Sequence, residues 1–423
     1  MGSRTAARPA TVAAACLIAA GFVSVPAARG QPFHWVQHAP GGLEARAITD
    51  AAACPPARLD GTEAAMTVRA EPGEGYPVRV CALPIPAGTR TAAIADVPLA
   101  LPMAAPRRIA VIGDTGCRLK GSYVQACNDP RAWPFRLVAE VVAQLAPDLV
   151  VHVGDYHYRE TACPAGEAGC AGSPFGDTWA VWRADFFAPA ETLLRVAPWV
   201  FVRGNHEECG RGGKGWSRAL EPYAFAGASG CNAASPPFAV RLPGLTLAVM
   251  DVASAREESV NEAQAALYRE HYRALGAMIG SGPAWILQHR PIWSAGGMVG
   301  GKLIGDNKTL AAAAAGNIPA QVSLMLSGHH HIFQVLDYGP WLPVQAVSGH
   351  GGDTLNEGPA LDPTGWVING VPVRGGLNIF GVFGFALLEA AGEGGWRITA
   401  YDRLGRALRS CTVADRSASC PPG

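Results

Sequence analysis

The sequence lacks an excess of charge of either sign. It carries 34 Lys+Arg and 34 Asp+Glu among 423 residues, so its formal net charge at pH 7 is +0. It also lacks a dense run of basic residues. A basic patch is the electrostatic footprint of proteins that bind nucleic acids or anionic membranes without further selectivity. We therefore expect no general nucleic-acid binding, and any nucleic-acid substrate would have to be recognised locally.

The sequence also lacks an apolar run long enough to span a membrane. The one comparable stretch lies at about Ala10 to Val25 and is shorter than the roughly 20 residues that a spanning helix needs. Two basic residues, Arg4 and Arg8, precede it, and small residues around Ala27 follow it, as in a secretory signal peptide. We predict a cleaved signal peptide over residues 1–28, an exported (periplasmic or secreted) protein, and no stable membrane anchor; a retained anchor is the alternative.

Cysteine pairs with the C-x-x-C spacing of a zinc site are absent from the sequence. Of the 11 cysteines, Cys16 falls within the predicted signal peptide, and an even number remains downstream of it. This pattern indicates disulfides formed in an oxidising compartment. Pairs of neighbouring cysteines are the simplest to suggest, although the sequence does not fix the connectivity: Cys117 with Cys127, Cys163 with Cys170, Cys209 with Cys231, and Cys411 with Cys420.

The chain changes its pattern near Pro106. Residues 29–105 contain short β-type runs with proline and glycine and no long helical period, which predicts a small β-rich accessory domain. Prolines 98, 102 and 106 mark its boundary. We assign residues 106–402 to one catalytic domain and residues 403–423 to a C-terminal tail.

Within residues 106–402, short apolar runs alternate with segments of helical spacing. The runs predicted as buried strands are Ile109–Ile112, Leu149–Val153, Trp199–Val202, Leu245–Met250, Ala284–Leu287 and Ser323–Leu326. The segments predicted as helices include Trp133–Leu145, Thr178–Phe187 and Val260–Ile279. This order is typical of an α/β fold with a largely parallel sheet. After His331 shorter β-type runs predominate, which predicts a second, more antiparallel sheet in the C-terminal half of the domain.

Five predicted strands end in a cluster of polar residues. The clusters are Gly113-Asp114-Thr115-Gly116, Gly154-Asp155-Tyr156-His157-Tyr158, Gly204-Asn205-His206-Glu207, Ile286-Leu287-Gln288-His289 and Gly328-His329-His330-His331. Any one of them could be a turn, a helix cap or a solvated loop. However, the carboxyl ends of parallel strands converge on one crevice. There the clusters would supply two carboxylates, an amide oxygen, a phenol and several imidazoles, which is a donor set for two metal ions.

Taken in this order, the motifs GDTG, GDYHY, GNHE, IxxH and GHHH resemble those of the calcineurin-like metallophosphoesterases, and specifically of the purple acid phosphatase branch. That branch has the pattern GDxG, GDxxY, GNH followed by an acidic residue, VxxH and GHxH. The resemblance spans about Arg107 to Tyr401. It implies a four-layer α/β sandwich, with two mixed sheets flanked by helices, beside the small N-terminal β-rich domain.

The resemblance also implies two sets of metal ligands. The first ion, a ferric iron in that family, would be held by Asp114, Asp155, Tyr158 and His331. The second, commonly iron, zinc or manganese, would be held by Asp155, Asn205, His289 and His329. A phenol that titrates near 10 binds as phenolate to a hard, highly charged ion. The alternative for Tyr158 is a packed aromatic side chain near the site.

Three further residues are candidates for catalysis: His206, Arg290 and His350. The resemblance places His206 at the phosphate, with a supporting contact as its alternative. The family usually has another histidine shortly after VxxH, whereas here none follows His289 before His329. The general acid would then come from His157 or His350, unless the leaving group departs with little proton assistance, which favours aryl esters. His350 could equally be structural, and Arg290 and His330 would support the ligands or bind substrate.

The resemblance implies an exported dinuclear-metal hydrolase of small-molecule phosphoesters, most simply a phosphomonoesterase that uses a metal-bound hydroxide. A phosphodiesterase or nuclease with the same metals is the nearest alternative. Two others from different classes are a non-catalytic metal- or phosphate-binding protein and a surface-attachment protein dominated by the accessory domain. The sequence does not determine the oligomeric state.

Overall fold

The computed structural model describes residues 1–2, 33–102, 105–227, 231–299, 302–357, 362–392 and 394–421. Apart from Met1 and Gly2, the predicted signal peptide lies outside this part of the chain, and so does Cys16. Among the residues described, no helix has the length and apolar character needed to cross a membrane.

The first fourteen strands, as far as residue 242, are short. They are β1 Phe33–Ala39, β2 Gly42–Thr49, β3 Ala57–Leu59, β4 Thr62–Ala64, β5 Thr67–Ala70, β6 Arg79–Ile85, β7 Ala92–Ile94, β8 Val97–Pro98, β9 Arg108–Ile112, β10 Leu119–Lys120, β11 Tyr123–Val124, β12 Leu149–His152, β13 Trp199–Phe201 and β14 Phe238–Leu242. The strands of the second half are β15 Leu245–Met250, β16 Ala284–Gln288, β17 Gly297–Val299, β18 Lys302–Ile304, β19 Val322–Ser327, β20 Phe333–Asp337, β21 Val344–Ser348, β22 Val367–Ile368, β23 Val371–Pro372, β24 Gly375–Ile379, β25 Gly384–Ala391, β26 Gly395–Asp402, β27 Ala407–Ala414 and β28 Ser417–Ser419.

The helices lie between the parallel strands. The α-helices are α1 Phe135–Gln144, α2 Trp179–Trp182, α3 Glu191–Leu194, α4 Gly213–Ala219, α5 Glu262–Ile279 and α6 Lys308–Ala314, with a π-helix at Arg183–Phe187 and a 3-10 turn at Asn205–Glu207. The longest, α5, begins after Asn261, whose side chain accepts a hydrogen bond from the backbone N–H of Gln264, and it ends at Gly280 with φ of 75°. These are the usual start and stop signals of a helix.

Two large mixed sheets form the centre of the molecule. The first has 11 strands in the order β28-β27-β26-β25-β9-β12-β13-β1-β2-β6-β5, and the second has seven in the order β14-β15-β16-β19-β21-β20-β24. Strands β9, β12 and β13 are parallel to one another, as are β15, β16, β19 and β21. The centre of each sheet is thus parallel, as the alternation of strands and helices predicts.

Apolar residues alternate between the two faces of each sheet. On β9, Ile109 and Val111 belong to the core between the two sheets, while Ala110 and Ile112 pack with α1 on the outer face. On the opposite side, α5 and α6 pack through residues such as Tyr272 on the outer face of the second sheet. The layers are therefore helix, sheet, sheet and helix, and the predicted four-layer sandwich is confirmed.

The N-terminal region is β-rich, as expected, but its strands are not set apart from the rest. Strand β1 pairs in parallel with β13, and β2, β6 and β5 continue the first sheet outward from it. Among the strands described before residue 106, only β3, β4, β7 and β8 lie outside the first sheet, and they form a small sheet in the order β4-β3-β7-β8. The predicted boundary at residue 106 thus separates strands of one sheet. Similarly, the predicted tail 403–423 contains β27 and β28, which extend the same sheet.

One expectation about the C-terminal half is wrong. The second sheet is not a late, antiparallel addition, because it begins at β14 and its central strands are parallel. The late β-type runs divide between the sheets: β20 and β21 join the second, whereas β25 and β26 return to the first beside β9. Local sequence pattern identifies these strands but carries no information about which distant strand each one pairs with.

All ten cysteines downstream of the predicted signal peptide form disulfides. Four join neighbouring cysteines, Cys117–Cys127, Cys163–Cys170, Cys209–Cys231 and Cys411–Cys420, and the fifth joins Cys54 to Cys81. The four suggested pairs are therefore confirmed. Five disulfides indicate an extracellular or otherwise oxidising compartment.

Candidate metal centre

The polar clusters lie at one edge of the two sheets. Strands β9, β12 and β13 of the first sheet end at residues 112, 152 and 201, and Asp114, Asp155 and Asn205 follow them in the connecting loops. Strands β16 and β19 of the second sheet end just before His289 and His329. Because the strands within each sheet are parallel, their carboxyl ends lie together, and the facing sheets bring the two sets of loops into contact.

The backbone of these loops is strained at three of the predicted ligands. Asp114, Asp155 and His329 have φ values of 56°, 60° and 71°, in the left-handed region that non-glycine residues avoid. Such conformations cost about 1–3 kcal/mol each and cluster at functional sites. The loops also approach closely: a Cβ on Gly204 would lie 2.1 Å from Oδ1 of Asp155, so only glycine fits there.

The first predicted set of ligands meets around the Tyr158 hydroxyl. Its oxygen lies 3.0 Å from Oδ1 of Asp114, 2.9 Å from Oδ2 of Asp155 and 3.1 Å from Nε2 of His331. Nε2 of His331 lies 3.4 Å from Oδ1 of Asp114. Four donor atoms from three separate loops thus converge on one point.

The second set meets beside it. Nε2 of His289 lies 3.1 Å from Oδ2 of Asp155 and 3.0 Å from Oδ1 of Asn205. One donor atom each from Asp155, His289 and His329 lies within 4.8 Å of the others. Oδ2 of Asp155 is therefore common to both sets, which is the position that a bridging ligand occupies. The structure brings all seven predicted metal ligands together; we call them the ligand cluster.

The donor set fits a pair of cations. Asp114 and Asp155 are fully buried and adjacent, so their negative charges need compensation that solvent does not supply. Burial lowers the pKa of His289, but the Asp155 carboxylate more than offsets this and raises it to about 9. Burial also lowers the pKa of His331, but Asp353 and Asp114 more than offset this and raise it to about 9. The carboxylates thus attract positive charge to the positions where metal ions would replace these protons.

Two buried carboxylates outside the ligand cluster hold its loops. Glu207 accepts hydrogen bonds from the backbone N–H groups of Gly204 (3.0 Å), Asp155 (3.1 Å), Tyr156 (2.8 Å) and His157 (3.0 Å). Burial, followed by repulsion from Asp155, raises the pKa of Glu207 to about 8. The acidic residue after Gly-Asn-His was visible in the sequence, but its role as a clamp between two loops was not.

Asp185 holds the loop that carries Tyr158. Its carboxylate accepts hydrogen bonds from the backbone N–H groups of Tyr158 (2.9 Å) and Cys117 (3.2 Å), and it pairs with Nε of Arg159 at 2.6 Å. Asp185 lies in the π-helix, and no sequence motif marks it.

His206 lies against the ligand cluster. Its backbone N–H donates to Oδ1 of Asp155 at 2.8 Å, and its ring packs against Tyr158 at a tilt of 36°, with a centroid distance of 3.7 Å. Nδ1 lies 2.7 Å from Oε1 of Glu160, which also pairs with Arg211. Burial lowers the pKa of His206 to about 3, so the ring is neutral in this environment.

Arg290 lies beside the second set of ligands. Its Nη1 is 3.2 Å from Nε2 of His329 and 2.8 Å from Oε1 of Glu257, and its Nε donates to the carbonyl of Ala253 at 2.8 Å. Glu257 in turn lies 2.7 Å from Nε2 of His329. Sequence reasoning missed Glu257, because it lies in the loop between β15 and α5 and no motif surrounds it.

Of the remaining histidine candidates, His350 and His157 make contacts away from the ligand cluster, whereas the ring of His330 lies 5.5 Å from that of His329. The ring of His350 packs on Phe333 with a centroid distance of 5.9 Å, and neither of its nitrogens has a hydrogen-bond partner in the described part of the chain. Burial lowers its pKa to about 3. His157 directs Nε2 to the carbonyl of Gly176 at 3.1 Å, and Nδ1 of His330 lies 2.9 Å from the Ser294 hydroxyl. These contacts give no support to His350 or His157 as general acid.

Comparison with known proteins agrees with the geometry. A family model described as calcineurin-like phosphoesterase matches residues 107–333. A purple acid phosphatase from yellow lupin (Lupinus luteus) seeds is similar in structure, with a TM-score of 0.57 and 12% identity, over 90% of this chain and 74% of that chain. A structure of PhoD is similar with a TM-score of 0.55 and 11% identity, over 93% of this chain and 91% of that chain. At these identities the likeness shows the fold alone. A comparison with curated proteins finds no match.

Proposed function

The chain belongs to the calcineurin-like phosphoesterase family, and from this membership we propose that it is an exported two-metal phosphomonoesterase of the acid phosphatase type. Its substrates would be small-molecule phosphoesters. The family typically binds two metal ions, and the five disulfides support export to an oxidising compartment.

The observation that carries the proposal is the shared position of Asp155. Its Oδ2 lies within 3.1 Å of both the Tyr158 hydroxyl and Nε2 of His289, so one carboxylate oxygen serves both sets of ligands. Two cations roughly 3.5–4 Å apart repel each other and need such a shared anion. A protein that binds a single ion would have no use for two complete sets joined in this way.

Each set favours a different kind of ion. Burial, together with the Asp114 and Asp155 charges, raises the pKa of Tyr158, so its phenolate would form only beside a hard, highly charged cation. This supports ferric iron with Asp114, Asp155, Tyr158 and His331. The second set of Asp155, Asn205, His289 and His329 has neutral amide and imidazole donors and suits iron, zinc or manganese. When bound, the ions would supply positive charge for the phosphoryl oxygens and lower the pKa of a coordinated water.

The chain's own residues bind and orient the substrate. The guanidinium of Arg290, beside His329, is placed to attract the phosphoryl oxygens. The ring of His206 lies against Tyr158, and because the Glu160 carboxylate accepts from its Nδ1, its Nε2 would donate a hydrogen bond to the phosphoryl oxygens only in the protonated ring. Because His350 packs on Phe333 and His157 contacts the Gly176 carbonyl, neither of these two candidates is positioned to protonate the leaving group. The site therefore suits esters whose leaving group is already a stable anion.

Hydrolysis of 4-nitrophenyl phosphate by the protein purified from the exported fraction, with its metal content measured, tests this proposal. Asp155→Ala and His289→Ala should each lower kcat by at least ~1000-fold and reduce bound metal, because both remove donors from the centre. Asp50→Ala, at an exposed carboxylate, is the matched control and should match the wild type. A wild-type protein with both metals but no turnover would contradict the proposal, and preference for bis(4-nitrophenyl) phosphate would instead indicate a phosphodiesterase.

A further inference from the structure

A large cavity adjoins the ligand cluster at His331. Its volume is about 890 Å³. It is lined by Arg118, by residues 120–124 of the hairpin β10–β11, and by Thr354, Leu355 and Asn356. Because His331 belongs to the first set of ligands, a substrate whose phosphoryl group lies at the metals could extend its leaving group into this cavity.

The wall of the cavity is a tight hairpin, residues 119–124. Lys120 pairs directly with Tyr123 across the hairpin. Gly121, with φ of 58°, forms the first position of the two-residue turn. Directly paired residues point to the same face, so a cation and an aromatic ring stand side by side. The Tyr123 side chain is 70% exposed, in contrast to Tyr156 and Tyr158, which are fully buried.

The hairpin is held firmly to the segment that carries Tyr158. The disulfide Cys117–Cys127 closes its base. The backbone N–H of Leu119 donates to the carbonyl of Tyr158 at 3.0 Å, and that of Gly121 donates to Oγ1 of Thr161 at 3.0 Å. An aromatic ring on a rigid support loses little conformational entropy when it binds a ligand.

Two cations lie along this wall, and they differ in how readily they could bind an anion of the substrate. Arg118 pairs with the buried carboxylate of Asp353 and stacks over the Tyr158 ring at 4.8 Å, so its charge is already compensated. Nζ of Lys120 lies 3.6 Å from Oε2 of Glu160, and its side chain is 47% exposed. Lys120 is therefore the more exposed and more weakly paired of the two cations on this wall, and a substrate anion would compete with Glu160 for it.

We propose that residues 119–124 form the leaving-group subsite of this phosphatase and that it selects aryl phosphomonoesters. The planar ring of the leaving group stacks on Tyr123, and Lys120 binds an anionic substituent on that ring. The inference rests on the proposed function. It also agrees with the positions of His157 and His350 away from the ligand cluster. A water oxygen bonds to phosphorus as the P–O bond to the ring breaks, and the phenolate leaves with the electron pair and takes up a proton from solvent.

Steady-state kinetics on two probes test the subsite. Tyr123→Ala should lower kcat/KM for 4-nitrophenyl phosphate by ~5- to 10-fold, mainly through KM, because stacking of aromatic rings contributes about that factor. The same variant should leave kcat/KM for glycerol 2-phosphate within about 2-fold of the wild type, since this ester has no ring. Tyr123→Phe keeps the ring and should restore the wild-type value. Trp341→Ala is the matched control, because Trp341 is exposed but lies beyond the other end of β20 from His331.

A second variant tests the cation. Lys120→Ala should lower kcat/KM for 4-carboxyphenyl phosphate more than for 4-nitrophenyl phosphate. Calorimetric binding of phenylphosphonate and methylphosphonate to the metal-loaded protein gives a readout apart from turnover, and Tyr123→Ala should weaken only the first. Adenosine 5′-monophosphate is a further substrate for comparison. If Tyr123→Ala lowers kcat/KM more for this nucleotide than for 4-nitrophenyl phosphate, the assignment to aryl esters is wrong.

The two proposals fail in different ways. If the wild type hydrolyses neither probe, the proposed function is wrong. Suppose instead that the wild type hydrolyses both probes, and that Tyr123→Ala leaves kcat/KM unchanged for both or lowers kcat/KM equally for both. The phosphatase assignment then stands, and the proposed leaving-group subsite is wrong. Melting temperatures of the variants, expected to equal that of the wild type because Tyr123 and Lys120 are exposed, separate these outcomes from misfolding.

Discussion

At the scale of single residues, the most informative side chain is Tyr158. Its hydroxyl is within 3.1 Å of a donor atom from each of the three other ligands in the first set. A phenol surrounded by two carboxylates is unfavourable as an anion, and its pKa is raised by burial and by those charges. It can therefore serve as a phenolate ligand only if the ion beside it carries a high charge.

Replacement of this hydroxyl tests the identity of the ion. Tyr158→Phe should abolish the visible absorption expected of a tyrosinate bound to ferric iron, and should lower metal affinity or activity by about 10- to 100-fold, as loss of groups at a metal site commonly does. The visible spectrum and elemental analysis of the purified protein measure both. Tyr156→Phe, at a buried tyrosine that bonds the Val202 carbonyl, is the control. An active protein without iron or colour would contradict the assignment of Tyr158 as an iron ligand.

Glu207 acts on the ligand cluster through the backbone. Each of its carboxylate oxygens accepts hydrogen bonds from two backbone N–H groups, so the change Glu207→Gln places an amide against two donors. Leaving such groups unsatisfied costs about 1–3 kcal/mol of unfolding free energy. We expect a lower melting temperature, weaker metal binding and a kcat reduced by about 10- to 100-fold, since Asp155 would shift. The matched control is Glu63→Gln at an exposed position, and wild-type metal affinity in Glu207→Gln would rule out this role.

At the scale of secondary-structure elements, the first sheet joins three parts of the chain that look separate in the sequence. Strand β1 pairs with β13, and β25 pairs with β9 on the other side of the parallel strands. The fully buried Arg46 of β2 adds a contact, because its Nη2 donates to the carbonyl of Glu221 at 2.7 Å. The N-terminal strands therefore support the strands from which the ligand loops emerge.

Deletion of residues 29–105 tests this dependence. The deletion removes four strands of the first sheet and leaves the β13 edge, together with the apolar surface around it, exposed. We expect an insoluble product or one without a cooperative melting transition, measured by size-exclusion chromatography and thermal melting. Deletion of residues 1–28 alone is the control. A soluble and active protein that begins at residue 106 would show that the N-terminal strands are an independent accessory domain after all.

At the scale of the whole molecule, buried neutral histidines make the folded state sensitive to acid. Burial lowers the pKa of His38 to about 4 and that of His350 to about 3. Their ordinary value in an unfolded chain is about 6.5, so the unfolded state binds more protons between pH 6.5 and the folded-state pKa. These two histidines therefore reduce the free energy of unfolding progressively as the pH is lowered through this window.

Replacement of His350 should reduce that sensitivity. At pH 4.5 the histidine costs ~3 kcal/mol of unfolding free energy relative to neutral pH, because the folded state must keep the ring uncharged. The unfolding free energy of His350→Leu should therefore fall by ~3 kcal/mol less between pH 7 and pH 4.5 than that of the wild type. The difference between the denaturation midpoints at the two pH values should be correspondingly smaller. Urea titrations at the two pH values measure it, with His271→Leu, at a half-buried position, as the control. An unchanged difference would mean that His350 is already protonated in the folded protein.

The sequence alone identified the polar side chains that meet at the site and the order of the elements. Strands predicted at Leu245–Met250 and Leu149–Val153 lie at β15 and β12, because alternating apolar residues and glycine-bounded runs are local properties of the chain. The seven predicted ligands also meet, since residues that follow parallel strands lie at the same edge of a sheet. Each of these inferences needs only neighbouring residues and one geometric rule.

The tertiary structure decided what depends on contacts between distant residues. It joined β1 and β25 to one sheet, buried the candidate acid His350 against Phe333, and placed Asp185 and Glu257 next to ligand loops far from them in sequence. No local pattern encodes these contacts, because the free energy of a buried carboxylate or a strand edge is set by its partners in space. The sequence therefore predicts which side chains supply the donor atoms. The fold determines which other side chains support those donors, surround them and face the substrate.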